Sequence, residues 1–195
     1  MKTLAALLEE STRIHGHVCA GQVIGVRMAL LGLKKIGICD PKGKDRKKLY
    51  VVVEIDRCAT DAIQTVTGCT LGKRSLRWVD YGIMAATFLN LENGAAVRIT
   101  AREEARELAD RYCPDITDKY ARQLSAYQQM RDEELFKVEE VILVVPASDL
   151  PGRPIRRVKC SLCKDYVQDC REKEVEGKTL CRACAHGAYY KRKEI

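Results

Sequence analysis

Apolar residues change their spacing several times along this chain, and each change predicts an element. Leu4, Leu7, Leu8 and Ile14 fall on one side of an amphipathic helix over residues 3–14. From Gly21 to Leu31 nearly every position is apolar, which predicts a buried helix beginning close to Cys19, with Gly32 and Gly37 marking its frayed end. Residues 41–48 carry Pro, Gly and six charges. They read as a solvated connection rather than a phosphate loop, because no strand precedes the glycine and no Ser or Thr follows the lysine. Residues 49–55 open with five apolar positions and form a central strand.

Residues 59–67 are a short helix closed by Gly68. Residues 83–91 and 95–100 flank Glu92-Asn93-Gly94 and read as a hairpin. Two charged helices follow, over 101–112, stopped by Pro114, and over 117–134, with Tyr120, Leu124, Tyr127 and Met130 or Arg131 marking one face. A last strand is expected at Val138 to Val145, and Pro146, Pro151, Gly152 and Pro154 make a linker. This order predicts an α+β class: a mainly antiparallel sheet packed with helices over residues 1–150, and a small appendage over 151–195.

Composition narrows the setting. With 46% hydrophobic and 31% charged residues the chain belongs with globular proteins. The apolar start is cut by Glu9 and Glu10 with no small-residue cleavage site after it, so no signal peptide is expected. No uncharged apolar stretch is long enough for a membrane span. A cytoplasmic protein is expected, in which ten cysteines are metal ligands or reactive thiols rather than disulfides. The net charge of +7 is uneven: residues 151–195 hold 12 Lys/Arg against 6 Asp/Glu, leaving 22 against 21 for the rest.

Cys160 and Cys163, then Cys181 and Cys184 after 17 intervening residues, form two Cys-x-x-Cys pairs. Four thiolates on two turns can close tetrahedrally on one zinc ion, and little else stabilises so short a segment. Strand-like residues between the pairs, near 166–167 and over 174–180, suggest a hairpin. A helix from Arg182 to Lys193 would complete a treble-clef zinc finger. Such a closed site is structural. Cys170 and His186 are spare. The basic stretches at 153–159 and 191–193 read as solvated surface ahead of a nucleic-acid contact.

Two of the three histidines fall in Ile14-His15-Gly16-His17-Val18-Cys19-Ala20-Gly21. His17 and Cys19 can point the same way from an extended turn, and Cys58 can supply a third ligand from the end of the central strand. Three ligands and an open position describe an exchangeable or catalytic metal site. Mixed imidazole and thiolate suit zinc best, with iron, nickel and copper as the alternatives. The helix start beside Cys19 favours its thiolate. Cys58 and Cys69 bracket one helix, too far apart to share an ion.

These residues also resemble a known family. The stretches His15-Gly16-His17-Val18-Cys19-Ala20-Gly21, Gly25 to Ala29 and Cys58 to Lys73 are similar to those of the formylmethanofuran dehydrogenase E-subunit family. One departure is Ala20, where the family commonly has proline. The resemblance implies an α+β core, in some members with a treble-clef finger, and a link to the molybdenum or tungsten enzyme that reduces CO₂ to a formyl group in methanogenic metabolism. It carries functional roles to His17, Cys19, Cys58, Asp61, Gln64, Cys69 and Lys73. Nothing in the chain resembles the pterin site or the iron–sulfur ligands that this redox chemistry needs.

Three functions stay open. The first is a metal-binding accessory subunit of an oxidoreductase complex in one-carbon metabolism, a homodimer by default. The second is an independent zinc enzyme, in which Asp61 or His15 moves protons and Arg27 or Lys73 binds an anionic group. The third is a nucleic-acid-binding regulator using the basic finger, with salt-dependent binding.

Overall fold

The computed structural model describes residues 2–191 and 193. The chain divides into two compact units, one ending at Val144 and the other beginning at Val145. In the first, α1 (Leu4–His15) starts at Thr3, whose hydroxyl accepts the Ala6 N–H, and ends at Gly16, which takes the left-handed conformation at φ 93°. Leu7, Leu8 and Ser11 are its buried residues. Ile14 is two-thirds exposed, and the inward place in the last turn goes to His15.

Next comes α2 (Ala20–Lys35), which runs past the expected end at Leu31. Gly32 lies inside it rather than at a frayed terminus, for a packing reason: a Cβ there would stand 2.3 Å from the Phe88 ring. The loop at 41–48 is a series of turns in which the Asp45 carboxylate accepts the Cys39 and Asp40 N–H groups. β1 (Leu49–Val53) feeds α3 (Cys58–Thr67), capped by Gly68, and the crossover returns as β2 (Leu76–Trp78), parallel to β1. This short edge strand had no clear apolar alternation to announce it.

The hairpin of β3 (Ala85–Asn90) and β4 (Ala96–Ala101) adds antiparallel strands. With a last strand, β5 (Phe136–Glu140), the five-stranded sheet runs β2-β1-β3-β4-β5, with β1 flanked on both sides and every pairing except β1–β2 antiparallel. Val51, Val53, Ala86, Phe88, Val97 and Ile99 share the face that joins the apolar core with α2. On the opposite face Arg98 makes a bidentate pair with the buried Glu54, both contacts at 2.7 Å, and reaches Glu139 at 3.3 Å.

Three further boundaries in this unit differ from expectation. α4 (Ala105–Tyr112) starts late because residues up to Ala101 are held in β4. The single helix expected over 117–134 is α5 (Lys119–Gln129) and a short α6 (Asp132–Leu135), separated where Met130 and Arg131 are extended. Glu134 reaches back to the Arg131 N–H at 3.0 Å and starts the second helix there. The buried side of α5 is Gln123, Ala126 and Tyr127, while Tyr120 is exposed. The last strand, β5 (Phe136–Glu140), lies earlier than Val138 to Val145. β4 begins at Ala96, so its ladder stops at the Val141 N–H, and the apolar run beyond pairs with no strand among the described residues; Ile142 is 95% exposed.

In the second unit β6 (Arg157–Lys159) pairs with β7 (Tyr166–Gln168), and β8 (Lys173–Val175) with β9 (Lys178–Leu180). The β8–β9 turn places Glu176 and Gly177 at positive φ, the geometry that suits a two-residue hairpin. Tyr166 thus pairs back to the basic stretch at 157–159, which holds a strand the sequence did not announce. α7 (Arg182–His186) is shorter than the helix expected to Lys193, and Arg192 lies outside the described residues. Among the described residues no helix is long and apolar enough to cross a membrane.

Candidate metal centres

The second unit builds its site from two turns. Cys160 and Cys163 stand on the β6–β7 turn, where the Cys160 N–H donates to the Asp165 carbonyl and Lys164 takes a positive φ. Cys181 caps α7 and Cys184 lies in its first turn. The four Sγ atoms lie within 4.8 Å of one another. Cys163 and Cys181 are 3.8 Å apart, the S···S spacing of about 3.8 Å that tetrahedral zinc bonds of about 2.3 Å require. Backbone N–H groups point at the sulfurs, from Cys181 to Cys160 at 3.3 Å and from Cys184 to Cys181 at 3.4 Å.

Those donors split the thiols. The Cys181 N–H, opposed by burial and helped by the N–H groups of Cys163 and Leu162, holds Cys160 down at about 6. Cys163 accepts the Asp165 N–H, yet burial and the crowding thiols push it up to about 12. Four sulfurs that cannot all ionise side by side can do so around a cation, so the donor set fits a metal ion such as zinc. Cys170 is exposed and outside the group.

In the first unit, Gly16 reverses the chain after α1 and brings His15, His17 and Cys19 together, their ligand atoms within 4.8 Å of one another. The two imidazole rings are 4.6 Å apart. His15 Nδ1 meets Asp61 Oδ2, from the first turn of α3, at 2.8 Å. With Nδ1–H donating to that carboxylate, the neutral ring has Nε2 as its acceptor nitrogen. Nε2 is buried with no hydrogen-bond partner among the described residues. A buried imidazole nitrogen so oriented, beside a second imidazole and a thiol, is suited to a metal ion.

Cys19 is the extended residue just before α2, and Cys58 is the first residue of α3. Both thiols sit at helix N-termini and flank Gly21, where a Cβ would lie 3.1 Å from Cys58 Cβ and 3.7 Å from Cys19 Sγ. Burial first, then the adjoining Cys19 thiol, pushes the Cys58 thiol up. Cys58 borders the mutually close set of His15, His17 and Cys19 without belonging to it.

The other sequence candidates are spread out. Arg27 is spent on the Tyr127 carbonyl at 2.7 Å and Asp132 at 2.6 Å, tying α2 to α5 and α6. Cys69 is a core residue beside the Leu49 carbonyl, its thiol pushed up by burial. Lys73 is exposed and donates to the Gly68 carbonyl, and Gln64 is half-buried further along α3. Ser11 and Gln22 went unnoticed in the sequence. The buried Ser11 hydroxyl donates to Gln22 Oε1, and Gln22 Nε2 donates to the Cys58 carbonyl at 2.6 Å. Two polar side chains on otherwise apolar helix faces were the available signal.

Known proteins are similar to this chain in sequence and in fold. A family model described as FmdE, molybdenum formylmethanofuran dehydrogenase operon, matches residues 14–141. The chain belongs to the FmdE family. The match spans the His-Gly-His-Val-Cys turn, α3 and the whole sheet. A curated relative, a probable S-adenosyl-L-methionine-binding protein of Archaeoglobus fulgidus, is 30% identical over 207 residues, covering 96% of this chain. This chain spans 54% of that relative's length, about half. A tungsten formylmethanofuran dehydrogenase FmdE-like protein from Syntrophus aciditrophicus, known from a crystal structure, shares the fold at a TM-score of 0.64 and 21% identity, over 97% of this chain and 95% of that one.

Proposed function

We propose that this FmdE protein is a metal-dependent accessory protein of one-carbon metabolism, working through a divalent ion, zinc by its donor set, held by His15 Nε2, His17 and Cys19. A zinc finger on Cys160, Cys163, Cys181 and Cys184 holds its second unit together. The observation that carries the reading is the buried, unpartnered Nε2 of His15 with Asp61 on its other nitrogen. This shifts the roles expected from the motif alone. His15 becomes a ligand rather than a proton carrier, and Asp61 becomes the carboxylate that fixes its tautomer.

An ion with three protein ligands supplies Lewis acidity at an open position. The chain's own residues prepare that position. Cys19 and Cys58 stand at the starts of α2 and α3, and the exposed side of His17 leaves the turn accessible. Gln22 fixes the backbone of Cys58 beside the ligands. The accessory role is supported by the operon named in the family's description.

Stripping the protein and titrating zinc against a chromophoric chelator tests this. Asp61→Asn should weaken the core site by roughly 10- to 100-fold, the usual cost of losing a carboxylate behind a ligating histidine, and Cys19→Ala should weaken it further. Core affinity unchanged in both variants would refute the ligand set. Catalytic turnover by the isolated, loaded chain would favour the independent enzyme over the accessory role.

A further inference from the structure

β5 is an edge strand, with β4 on one side and, among the described residues, no strand on the other. Its inward hydrogen bonds are marked by the Val141 N–H donating to Ala96 and the Leu135 carbonyl accepting from Arg102. Antiparallel ladders alternate, so residues 135, 137, 139 and 141 turn their backbone groups toward β4, and Phe136, Val138 and Glu140 turn theirs outward. Lys137 and Val138 are exposed, and Ile142 just past the strand is almost fully so. No proline interrupts β5, and its charges, Lys137, Glu139 and Glu140, repel a strand that leaves them unmatched but admit one that pairs them with opposite charges.

We propose that this edge pairs antiparallel with β5 of a second copy, about a two-fold axis through Val138, joining two five-stranded sheets into one. In that register Val138 faces its own copy, Phe136 faces Glu140, and Lys137 faces Glu139 twice, once on each side of the axis. The outward N–H and C=O groups of 136, 138 and 140 are those the register uses, so no bond to β4 is disturbed. Neighbouring registers lack this complementarity. An axis through Glu139 or Glu140 sets like charges opposite each other, and one through Val141 sets Glu140 against Ile142. Arg98, between Glu54 and Glu139, keeps the charged face of the strand in place behind the seam. Two-fold closure about this axis uses up the β5 edge of both copies and so stops at the dimer; the opposite edge, β2, takes no part.

Light scattering across a concentration series on the full chain tests the pairing. The native protein should be dimeric, and Lys137→Glu, which sets two glutamates opposite each other at both ends of the seam, should weaken the dimer tenfold or more. Lys137→Glu combined with Glu139→Lys should restore it. Val138→Cys should form a disulfide-linked dimer on mild oxidation, joined through residue 138 in both chains, because opposed residues there stand about 5.5 Å apart at Cα. A monomer at all concentrations, or a dimer indifferent to the charge reversal and not linked through 138, would overturn the proposal.

Discussion

His15 is the residue on which the account turns, and its neighbours decide its role. A histidine at the end of a helix is ordinarily solvated; here Asp61 takes one nitrogen and burial strips the other of partners. Gln22 performs a similar service for Cys58. It is fully buried, linking the Ser11 hydroxyl on one side to the Cys58 carbonyl on the other. Gln22→Met keeps the volume and leaves both groups unpaired, so stability by denaturant unfolding should fall by about 1–3 kcal/mol, with weaker metal binding at the core site. Glu10 supplies a pH dependence. Hydrogen bonds from Lys2 and Lys42 hold its carboxyl down at about 2, against a usual 4.5. The folded-state value is the lower one, so its contribution is present above pH 4.5 and lost as pH falls toward 2. The melting temperature of Glu10→Gln should therefore decline less steeply than that of the native protein across that interval.

At the scale of elements, the close approach of α2 to α3 sets the site. Gly25 makes it possible: a Cβ there would stand 2.4 Å from the Ala59 carbonyl oxygen and 2.7 Å from Ala62 Cβ. Backbone cannot move aside as a flexible side chain can, so Gly25→Ala should destabilise by about 2 kcal/mol in thermal or denaturant unfolding and separate Cys19 from Cys58. Much of this architecture was legible in the sequence. The Gly21–Leu31 run, the strand at Leu49 and the Asn-Gly hairpin each carry a strong periodic or turn signal. The start of α4 and the place of β5 were misjudged for one cause, which is that partners distant in sequence outweigh local pattern. Val141 to Val145 looks like a strand, but beyond the Val141 N–H, which reaches Ala96, β4 offers it nothing to pair with. Phe136, preceding the apolar run, is the residue that β4 captures through Ala101. The His-Gly-His-Val-Cys turn announced a site by composition alone. The orientation of His15 depended on Asp61, 46 residues away, which no local pattern encodes.

The whole molecule combines two units that hold chemistry in different ways. The second encloses four sulfurs and leaves no position open, while the first gathers two imidazoles and a thiol at a turn with an exposed side. A closed set staples a small fold, and an open one can exchange a ligand. Metal content per chain, measured on protein purified without added metal, addresses this central claim directly. The intact chain should carry two ions. Cys19→Ala should lose one and Cys181→Ser the other. A single ion per intact chain, lost with Cys181→Ser and untouched by Cys19→Ala, would contradict the account and leave the core turn without its metal.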